Sequence, residues 1–532
     1  MSTSLGPPKP DTPAPGHNLP PVLGRLLRGT FWLALRTPLQ VVFAFWSVPL
    51  ILEHIGPGMF GAYGFAWGFG FLQFLLEFGM SSALQRQISE RWTLGDRAGV
   101  NRSIACGTIF YATMALVQAC VLIAISRWGI PPDFNAEEHH LIVRLLWLQA
   151  LTAPCFGLST VVSGVLQAAR RYDFIPRFEL WIVVLRFAVL WGGLESDVDF
   201  FWIVVAQTFI SVGLSLVPAL WVMGRSLGYR PRLTGGRWAD VADLTKISIY
   251  MFIVQLSVVL ADKIDTTILG YALDAPAPAI AVYQAISKPF LQIRQVAWML
   301  AYFVMPAVAS LAAANDVAAL ERIKYDGTRL LVAVVLPIVL LAFVDAKPFL
   351  NAWVPQFADQ SHLMQLFLLA TTPLVLSILV QMSVGVGRIR LIALAALGGS
   401  LVNVPLSFFW TKLSGNVSGV IWGTVLTTWV SNGLIPGIYC FRTLPVDAHT
   451  FVTRTLMPPA FAGACLLVVS LLASPVFQWF PAQPGSRLAA ALPLVLHLSL
   501  GMAAYVAGYL ATPVGRGDAA TLLRKFTSQR AR

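Results

Sequence analysis

Long apolar runs, separated by short polar connections, fill most of the sequence between residues 29 and 512. A helix needs about 20 apolar residues, at 1.5 Å of rise per residue, to cross the hydrocarbon core of a bilayer. About 14 runs reach that length. Only 12% of the 532 residues are charged, against roughly 25% in soluble domains. The sequence therefore predicts an all-α polytopic membrane protein with about 14 transmembrane helices.

The basic residues are distributed unevenly between the two sides of this predicted bundle. The formal net charge is +12. If the N-terminus is cytoplasmic, roughly 27 of the 37 Lys and Arg residues fall in cytoplasmic segments, as the positive-inside rule requires. Both termini are then predicted to be cytoplasmic, and the basic excess is a topology signal. We expect no nucleic-acid partner, while membrane lipid contacts the basic C-terminal tail.

The spans divide the chain into two halves and an additional pair of helices. Residues 61–66 resemble residues 281–285, about 220 residues further on. Because each half would hold six spans, the halves predict two six-helix bundles around a central cavity, plus two C-terminal helices. The predicted segments are a disordered cytoplasmic tail (1–24), an N-terminal lobe (25–223), a cytoplasmic linker (224–246), a C-terminal lobe (247–441), the additional transmembrane pair (442–512) and a basic cytoplasmic tail (513–532).

Charged residues within the spans are the candidate functional site. A charge near the middle of a bilayer costs about 3 kcal/mol even on the lenient insertion scale, so such residues face a wet cavity or pair with one another. The candidates for binding an anionic passenger are Arg36, Arg186, Lys288 and Arg294. The candidates for ion coupling or gating are Glu77, Asp262, Lys263 and Asp265. The surplus of basic groups favours an anionic passenger, since a low dielectric magnifies each charge.

The same charges have a structural interpretation, in which they only hold helices in register. Asp262 and Lys288 lie at similar predicted depth and could form a salt bridge. Glu77, on the next helix, could be the partner of Arg36. Glu179 lies two turns from Arg186 on one helical face and could neutralise it. Alternatively, Glu77 and Asp265 could carry a coupling proton or Na⁺.

Two groups of residues carry a family resemblance. The first group is Ile51-Leu52, Gly56-Pro57, residues 60–63 and residues 78–84; the second is Asp262-Lys263-x-Asp265, Leu269-Gly270 and Tyr283-x-Ala285. These motifs resemble the starts of the two halves of the polysaccharide transporter family, the Wzx-type flippases for lipid-linked oligosaccharides. That family belongs to the multidrug/oligosaccharidyl-lipid/polysaccharide exporter superfamily. The count of 14 spans resembles the lipid II flippases of the same superfamily.

The resemblance implies two lobes around a central cavity, alternating access and a passenger made of polyprenyl diphosphate carrying a short glycan. The expected function is therefore a flippase that moves this lipid-linked saccharide to the outer leaflet of the bacterial inner membrane, for surface polysaccharides such as O-antigen or exopolysaccharide. Polysaccharide polymerase and chain-length proteins are the expected protein partners.

Two other functions remain open on sequence grounds. A drug or organic-cation antiporter of the same superfamily is the first alternative, and a membrane enzyme that polymerises or ligates glycans is a remote one. The five Cys and seven His residues are scattered, without the spacing of metal ligands. No nucleotide-binding or nucleophile motif is evident either. We therefore expect no enzymatic activity and no cofactor or metal, apart from possible coupling to Na⁺ or H⁺.

Overall fold

The computed structural model describes residues 21–169, 171, 174–235, 252–253, 256–257, 259–260, 263–302, 304–478 and 487–530. The regular elements in these ranges are all helices, which confirms the predicted all-α class. Nine of the described helices are long and apolar enough to cross a membrane. The chain is thus a multi-pass membrane protein.

The first half of the chain folds into a bundle, the N-terminal lobe. Its helices are α1 (Pro21–Gly68), α2 (Phe71–Leu76), α3 (Met80–Thr93), α4 (Arg97–Ala124), α5 (Ala136–Ala168), α6 (Phe174–Glu195) and α7 (Phe200–Trp221). Within α1, Gly56 adopts φ 75° and separates the first span that the sequence predicts, about 29–52, from the second, about 60–84. Helix α5 lies at the centre and packs on α1, α3, α4 and α7.

The second predicted span is not one continuous helix. After α1 ends at Gly68, the chain forms the short α2 and then a break, in which Phe78 has φ 48° and Gly79 has φ 67°. Two successive residues with positive φ cannot continue a right-handed helix. The break places Glu77 at the end of α2, where backbone groups are not all used by the helix.

The second half forms the C-terminal lobe from shorter pieces. Its helices are α8 (Asp265–Ala272), α9 (Pro276–Tyr302), α10 (Val304–Ala313), α11 (Val317–Arg322), α12 (Thr328–Val344), α13 (Ala346–Trp353), α14 (Ser361–Leu368), α15 (Ser377–Gly385), α16 (Arg390–Ser414), α17 (Ser418–Thr428) and α18 (Ile435–Thr443). Several of them are joined by π or 3₁₀ turns that continue one span.

The C-terminal segment adds a helix pair to this lobe. Its elements are α19 (Ala448–Thr450), α20 (Met457–Gln478), α21 (Arg487–Ala511) and α22 (Pro513–Arg530). Helices α20 and α21 pack on each other and on α12 of the C-terminal lobe, and α21 also contacts α13. We call α20 and α21 the accessory pair.

The two lobes are in contact on the side that is predicted to face outward. A Cβ atom on Gly61 would lie 1.7 Å from the carbonyl oxygen of Ala277, and one on Gly64 would lie 1.3 Å from Nε2 of Gln284. Only glycine permits α1 and α9 to approach so closely. The Trp353 indole also donates a hydrogen bond of 2.6 Å to the carbonyl of Phe45 across this seam. The lobes are therefore closed at the predicted outer side.

Candidate functional site

Arg36 is held by an ion pair inside the N-terminal lobe. Its Nη1 lies 2.5 Å from Oε2 of Glu179, and the side chains are 26% and 35% exposed. Phe43 and Phe187 stack at 4.4 Å between ring centroids on the same two helices, which fixes α1 against α6. Both pairings that we considered for these residues are therefore wrong in this structure, since Arg36 does not pair with Glu77 and Glu179 does not neutralise Arg186. Glu179 lies 143 residues from Arg36 in the sequence, and spacing along the chain does not predict a contact between such distant residues.

Arg186 lies two turns after Glu179 on α6. Its backbone carbonyl accepts a hydrogen bond of 2.8 Å from Gln207 of α7, and its charge acts on the phenol of Tyr63. In the part of the chain that the structure describes, no acceptor contacts its buried Nε atom. A buried N–H group without an acceptor is costly, and an anion that reached it would relieve that cost.

Glu77 lies at the helix break and lines a small cavity of the N-terminal lobe. The Tyr111 hydroxyl donates to its Oε1 over 3.1 Å. Gln73, Gln118 and Thr160 supply further polar atoms to the cavity, whose volume of about 30 Å³ is enough for one water molecule. The carboxylate is thus placed in a polar, confined position, which suits a group that binds or passes a small cation.

Asp265 is the centre of a buried polar network in the C-terminal lobe. It is 1% exposed, and its Oδ2 accepts hydrogen bonds from the hydroxyls of Tyr283 (2.6 Å) and Thr424 (3.2 Å). Asn403 donates to the hydroxyl oxygens of Thr424 (3.4 Å) and Thr427 (3.0 Å). The Ser407 hydroxyl in turn donates to the Asn403 side chain at 2.9 Å. Hydroxyl oxygens from α9 and α17 therefore contact the carboxylate, and the network extends through Thr424 to α16.

The sequence around Asn403 and Thr424 contains a local signal for this network. Asn403 and Ser407 are four residues apart in an apolar span, and Thr424 and Thr427 are three apart in the next one. Polar residues at these spacings lie on one helical face. Their pairing with Asp265 and Tyr283 depends on tertiary packing, which spacing alone does not give.

Lys263 and Lys288 both belong to the C-terminal lobe. Lys263 is exposed just before α8, Lys288 is half-buried on α9, and the charge of Lys263 acts on the Lys288 ammonium group. Like charges repel each other, so an anion that reached both would be stabilised. Asp262, the proposed partner of Lys288, lies outside the described residues, so that salt bridge stays a prediction.

Arg294 lines a separate and larger cavity between helices of the C-terminal lobe. The cavity has a volume of about 370 Å³ and is lined mainly by apolar side chains. Its polar groups are Ser257, Arg294, Ser377, Gln381, Ser400, Thr428 and Asn432. The Arg294 guanidinium lies 5.1 Å from the ring centroid of Phe290, a cation–π distance that orients it. A mostly apolar cavity of this size with one cation is suited to an amphipathic anion.

The predicted site residues therefore lie in both lobes rather than in one cluster. Arg36, Arg186 and Glu77 belong to the N-terminal lobe, and Lys263, Asp265, Lys288 and Arg294 belong to the C-terminal lobe. Such a division is what a site between two moving lobes requires.

Known proteins with this fold are membrane transporters. The structure entitled "Lipid II flippase MurJ, inward closed conformation" matches with a TM-score of 0.66 at 12% sequence identity, covering 90% of this chain and 98% of that one. An inward-facing multidrug resistance MATE family transporter of the MOP superfamily matches with a TM-score of 0.62 at 13% identity, covering 80% and 100%. At such low identity these matches establish the fold. No curated protein matches the chain.

A family match then identifies the chain more closely. The family model described as "Polysaccharide biosynthesis protein" matches residues 26–312, more than half of the sequence. The chain belongs to this polysaccharide biosynthesis protein family, which confirms the family expected from the motifs around Gly61 and Asp265.

Proposed function

We propose that the protein is a flippase for a polyprenyl-diphosphate-linked saccharide, which it moves from the cytoplasmic to the outer leaflet of the bacterial inner membrane by alternating access. The observation that carries this proposal is the placement of Arg294 in a mostly apolar cavity of about 370 Å³ in the C-terminal lobe. A diphosphate group bound there would pair with the Arg294 guanidinium. The lipid tail of such a passenger stays in the bilayer while only the head group enters the protein.

The cations of both lobes share the binding of the diphosphate or of an acidic sugar in this mechanism. Lys288 and Arg294 act from the C-terminal lobe, and Arg36 acts from the N-terminal lobe with support from Arg186. In the present conformation Glu179 holds Arg36, so Arg36 reaches the passenger only after this ion pair opens. The exchange of one anionic partner for another keeps Arg36 neutralised throughout the cycle.

The acidic residues are assigned to coupling and gating. The hydroxyl oxygens of Tyr283 and Thr424 contact the buried Asp265 carboxylate, and oxygen ligands suit Na⁺ or a proton. Glu77 at its helix break, with Asp262 and Lys263 before α8, is assigned to gating. Broken helices next to ion sites are a recurring feature of transporters.

The closed contact between the lobes corresponds to one end of the transport cycle. With both termini in the cytoplasm, the seam at Gly61 and Gly64 closes the outer side, so the passenger enters from the cytoplasmic leaflet. Release to the outer leaflet requires that α1 and α9 separate there. We further propose that the protein delivers its passenger to polysaccharide polymerase and chain-length proteins that assemble O-antigen or exopolysaccharide.

The experiment that tests this function follows the passenger in cells. Deletion of the gene is expected to remove surface glycan and to leave the lipid-linked saccharide in the cytoplasmic leaflet, where externally added glycosidases cannot reach it. Unchanged surface glycan in the deletion strain would contradict the proposal. If the strain instead became sensitive to cationic dyes, the protein would be a drug antiporter. Glycan chains that stayed unpolymerised in the outer leaflet would indicate a polymerase or ligase.

A further inference from the structure

Two buried polar atoms lie without hydrogen-bond partners at the closed seam between the lobes. Within the described residues, no acceptor contacts Nε2 of Gln284 on α9, and no polar group pairs with Oγ1 of Thr267 on α8. Both helices belong to the C-terminal lobe and pack on α1 of the N-terminal lobe. In this conformation the two atoms are therefore shielded from water and gain no partner in return.

The surface opposite these atoms contains glycines of α1. A Cβ atom on Gly64 would lie 1.3 Å from Nε2 of Gln284. One on Gly68 would lie 3.5 Å from Oγ1 of Thr267. The two glycines are four residues apart, so they lie on one face of α1. Because glycine offers no side-chain partner, the N-terminal lobe covers both atoms without a side-chain hydrogen bond.

Unpaired polar groups at a closed contact affect the equilibrium between its closed and open forms. Closure of the seam moves the amide of Gln284 and the hydroxyl of Thr267 out of water to positions without partners, which costs free energy. Opening of the seam allows both groups to form hydrogen bonds again. A molecule that pairs with them in the open form therefore shifts the equilibrium towards opening.

The chemistry of the two groups indicates which part of a passenger would pair with them. An amide and a hydroxyl are neutral, and each can donate to or accept from another hydroxyl group. A diphosphate forms its stronger, charge-assisted hydrogen bonds with the cations of the site. The neutral groups at the seam therefore suit the hydroxyls of a saccharide.

The position of Gln284 along α9 places it next to a cation of the site. Lys288 follows Gln284 by four residues, so the two side chains lie on one helical face, about 6 Å apart along the axis. Helix α9 begins at the predicted outer side, so Gln284 lies outward of Lys288. A head group whose diphosphate contacts Lys288 would therefore extend its saccharide towards Gln284.

We propose that Gln284 and Thr267 contact the saccharide of the passenger and pair with it only when the outer seam opens. This inference rests on the proposed function, because it concerns how the same site distinguishes a lipid diphosphate with a saccharide from one without. The saccharide supplies the hydrogen-bond partners that the closed seam lacks, so its presence favours the open conformation. A lipid diphosphate without a saccharide provides no such partners.

The flipping rates of two lipids in proteoliposomes test the proposal. The saccharide lipid is a polyprenyl diphosphate saccharide, and the bare lipid is the same polyprenyl diphosphate without the saccharide. Wild type is expected to flip the saccharide lipid at least about tenfold faster, because two hydrogen bonds form only with that lipid. The double variant Gln284→Met/Thr267→Val removes both polar groups with little change in side-chain size. It is expected to flip the two lipids at similar rates.

Matched variants separate this role from other effects on the C-terminal lobe. Gln295→Met, at an exposed glutamine of α9, and Thr267→Ser, which keeps the hydroxyl, are expected to retain the wild-type preference. Lys288→Gln is expected to slow both lipids and to leave their ratio unchanged. A wild-type protein that flips neither lipid would contradict the proposed function and this role together. Flipping without a preference in wild type, or with an unchanged preference in the double variant, would overturn this inference alone.

A second measurement shows whether the two residues oppose or support closure of the seam. Electron-spin distances between labels on α1 and α9 report the opening. Addition of the saccharide lipid is expected to open the seam in wild type but not in the double variant. The melting temperature of the double variant is expected to equal or exceed that of wild type, since no unpaired group remains at these positions. A seam that is open without lipid in the double variant, or a lower melting temperature, would show that Gln284 and Thr267 stabilise the closed seam and would refute the proposal.

Discussion

Arg36 and Glu179 form an ion pair of 2.5 Å that connects the first helix of the N-terminal lobe to the sixth. The proposed mechanism gives Arg36 two anionic partners in turn, Glu179 in this conformation and the diphosphate in another. If Arg36 has only a structural role, it needs only Glu179 as a partner. The two roles therefore predict different outcomes when the charges are exchanged.

The exchange of charges between Arg36 and Glu179 is the first prediction. Because the pair is partly exposed, each single reversal is expected to destabilise the protein modestly, by about 1 kcal/mol. The double variant Arg36→Glu/Glu179→Arg is expected to recover thermal stability but not flipping of a labelled lipid-linked saccharide in proteoliposomes. Recovery of both stability and flipping would show that the ion pair has only a structural role.

Arg294→Ala is the second prediction. Truncation removes the cation from the 370 Å³ cavity, so surface glycan is expected to be lost while the protein stays in the membrane at the wild-type level. Arg390→Ala, at an exposed arginine of the same lobe, is the matched control and is expected to export normally. Immunoblots of membranes measure the amount of protein, and glycan staining measures the surface glycan. Normal glycan in Arg294→Ala would remove this residue from the site.

The third prediction concerns the coupling ion. Asp265→Asn keeps an oxygen that accepts from Tyr283 and Thr424 but removes the negative charge. Flipping is expected to fall about tenfold or more, as loss of a charge-assisted contact worth at least 1.4 kcal/mol requires. The residual rate is expected not to respond to an imposed Na⁺ or proton gradient. The exposed Asp274→Asn should behave as wild type, and a gradient response retained in Asp265→Asn would place coupling elsewhere.

Closure of the seam between the lobes gives the fourth prediction. Gly61→Ala places a methyl group against the Ala277 carbonyl, a backbone atom that cannot move aside. The closed conformation is expected to be destabilised by about 1–3 kcal/mol, as for other overpacked contacts. Electron-spin distance measurements between labels on α1 and α9 should then show the seam open. Gly213→Ala, which has open space around it, is expected to leave the distances unchanged.

The attachment of the last helix gives the fifth prediction. Arg329 is 4% exposed in its side chain and donates to both oxygens of Asp518 on α22, at 2.9 and 2.6 Å. Removal of one partner of a buried pair costs about 3–5 kcal/mol, and Asp326 at 2.9 Å offsets part of that here. Asp518→Ala is expected to lower the melting temperature clearly, and Glu321→Ala, at a 60% exposed carboxylate, to leave it unchanged. Equal melting temperatures in both variants would show that the Arg329–Asp518 pair does not stabilise the attachment of α22.

The helical class and the family could be predicted from the sequence, because both depend on local patterns. Apolar runs of sufficient length predict membrane-spanning helices directly, and the motifs around Gly61 and Asp265 were sufficient to predict the family. Each of these signals is contained in a short segment of chain.

The partners of the charged residues could not be predicted in the same way. Arg36 contacts a residue 143 positions away, and spacing favours neighbours that are near in sequence. The break after Glu77 was missed because a phenylalanine with positive φ has no signature in composition. A buried contact between Asp345 and His497 joins residues 152 positions apart, both of which are isolated polar positions in apolar sequence.

The account rests on the claim that Lys288 and Arg294 bind an anionic passenger, and a binding measurement tests this claim most directly. The measurement compares the affinity of the nanodisc-embedded protein for a polyprenyl diphosphate saccharide and for the uncharged polyprenol, in wild type and in Lys288→Gln. Wild type is expected to favour the diphosphate by at least about tenfold, or 1.4 kcal/mol, and Lys288→Gln to lose most of that preference. Equal affinities for both lipids, or an unchanged preference in Lys288→Gln, would contradict it.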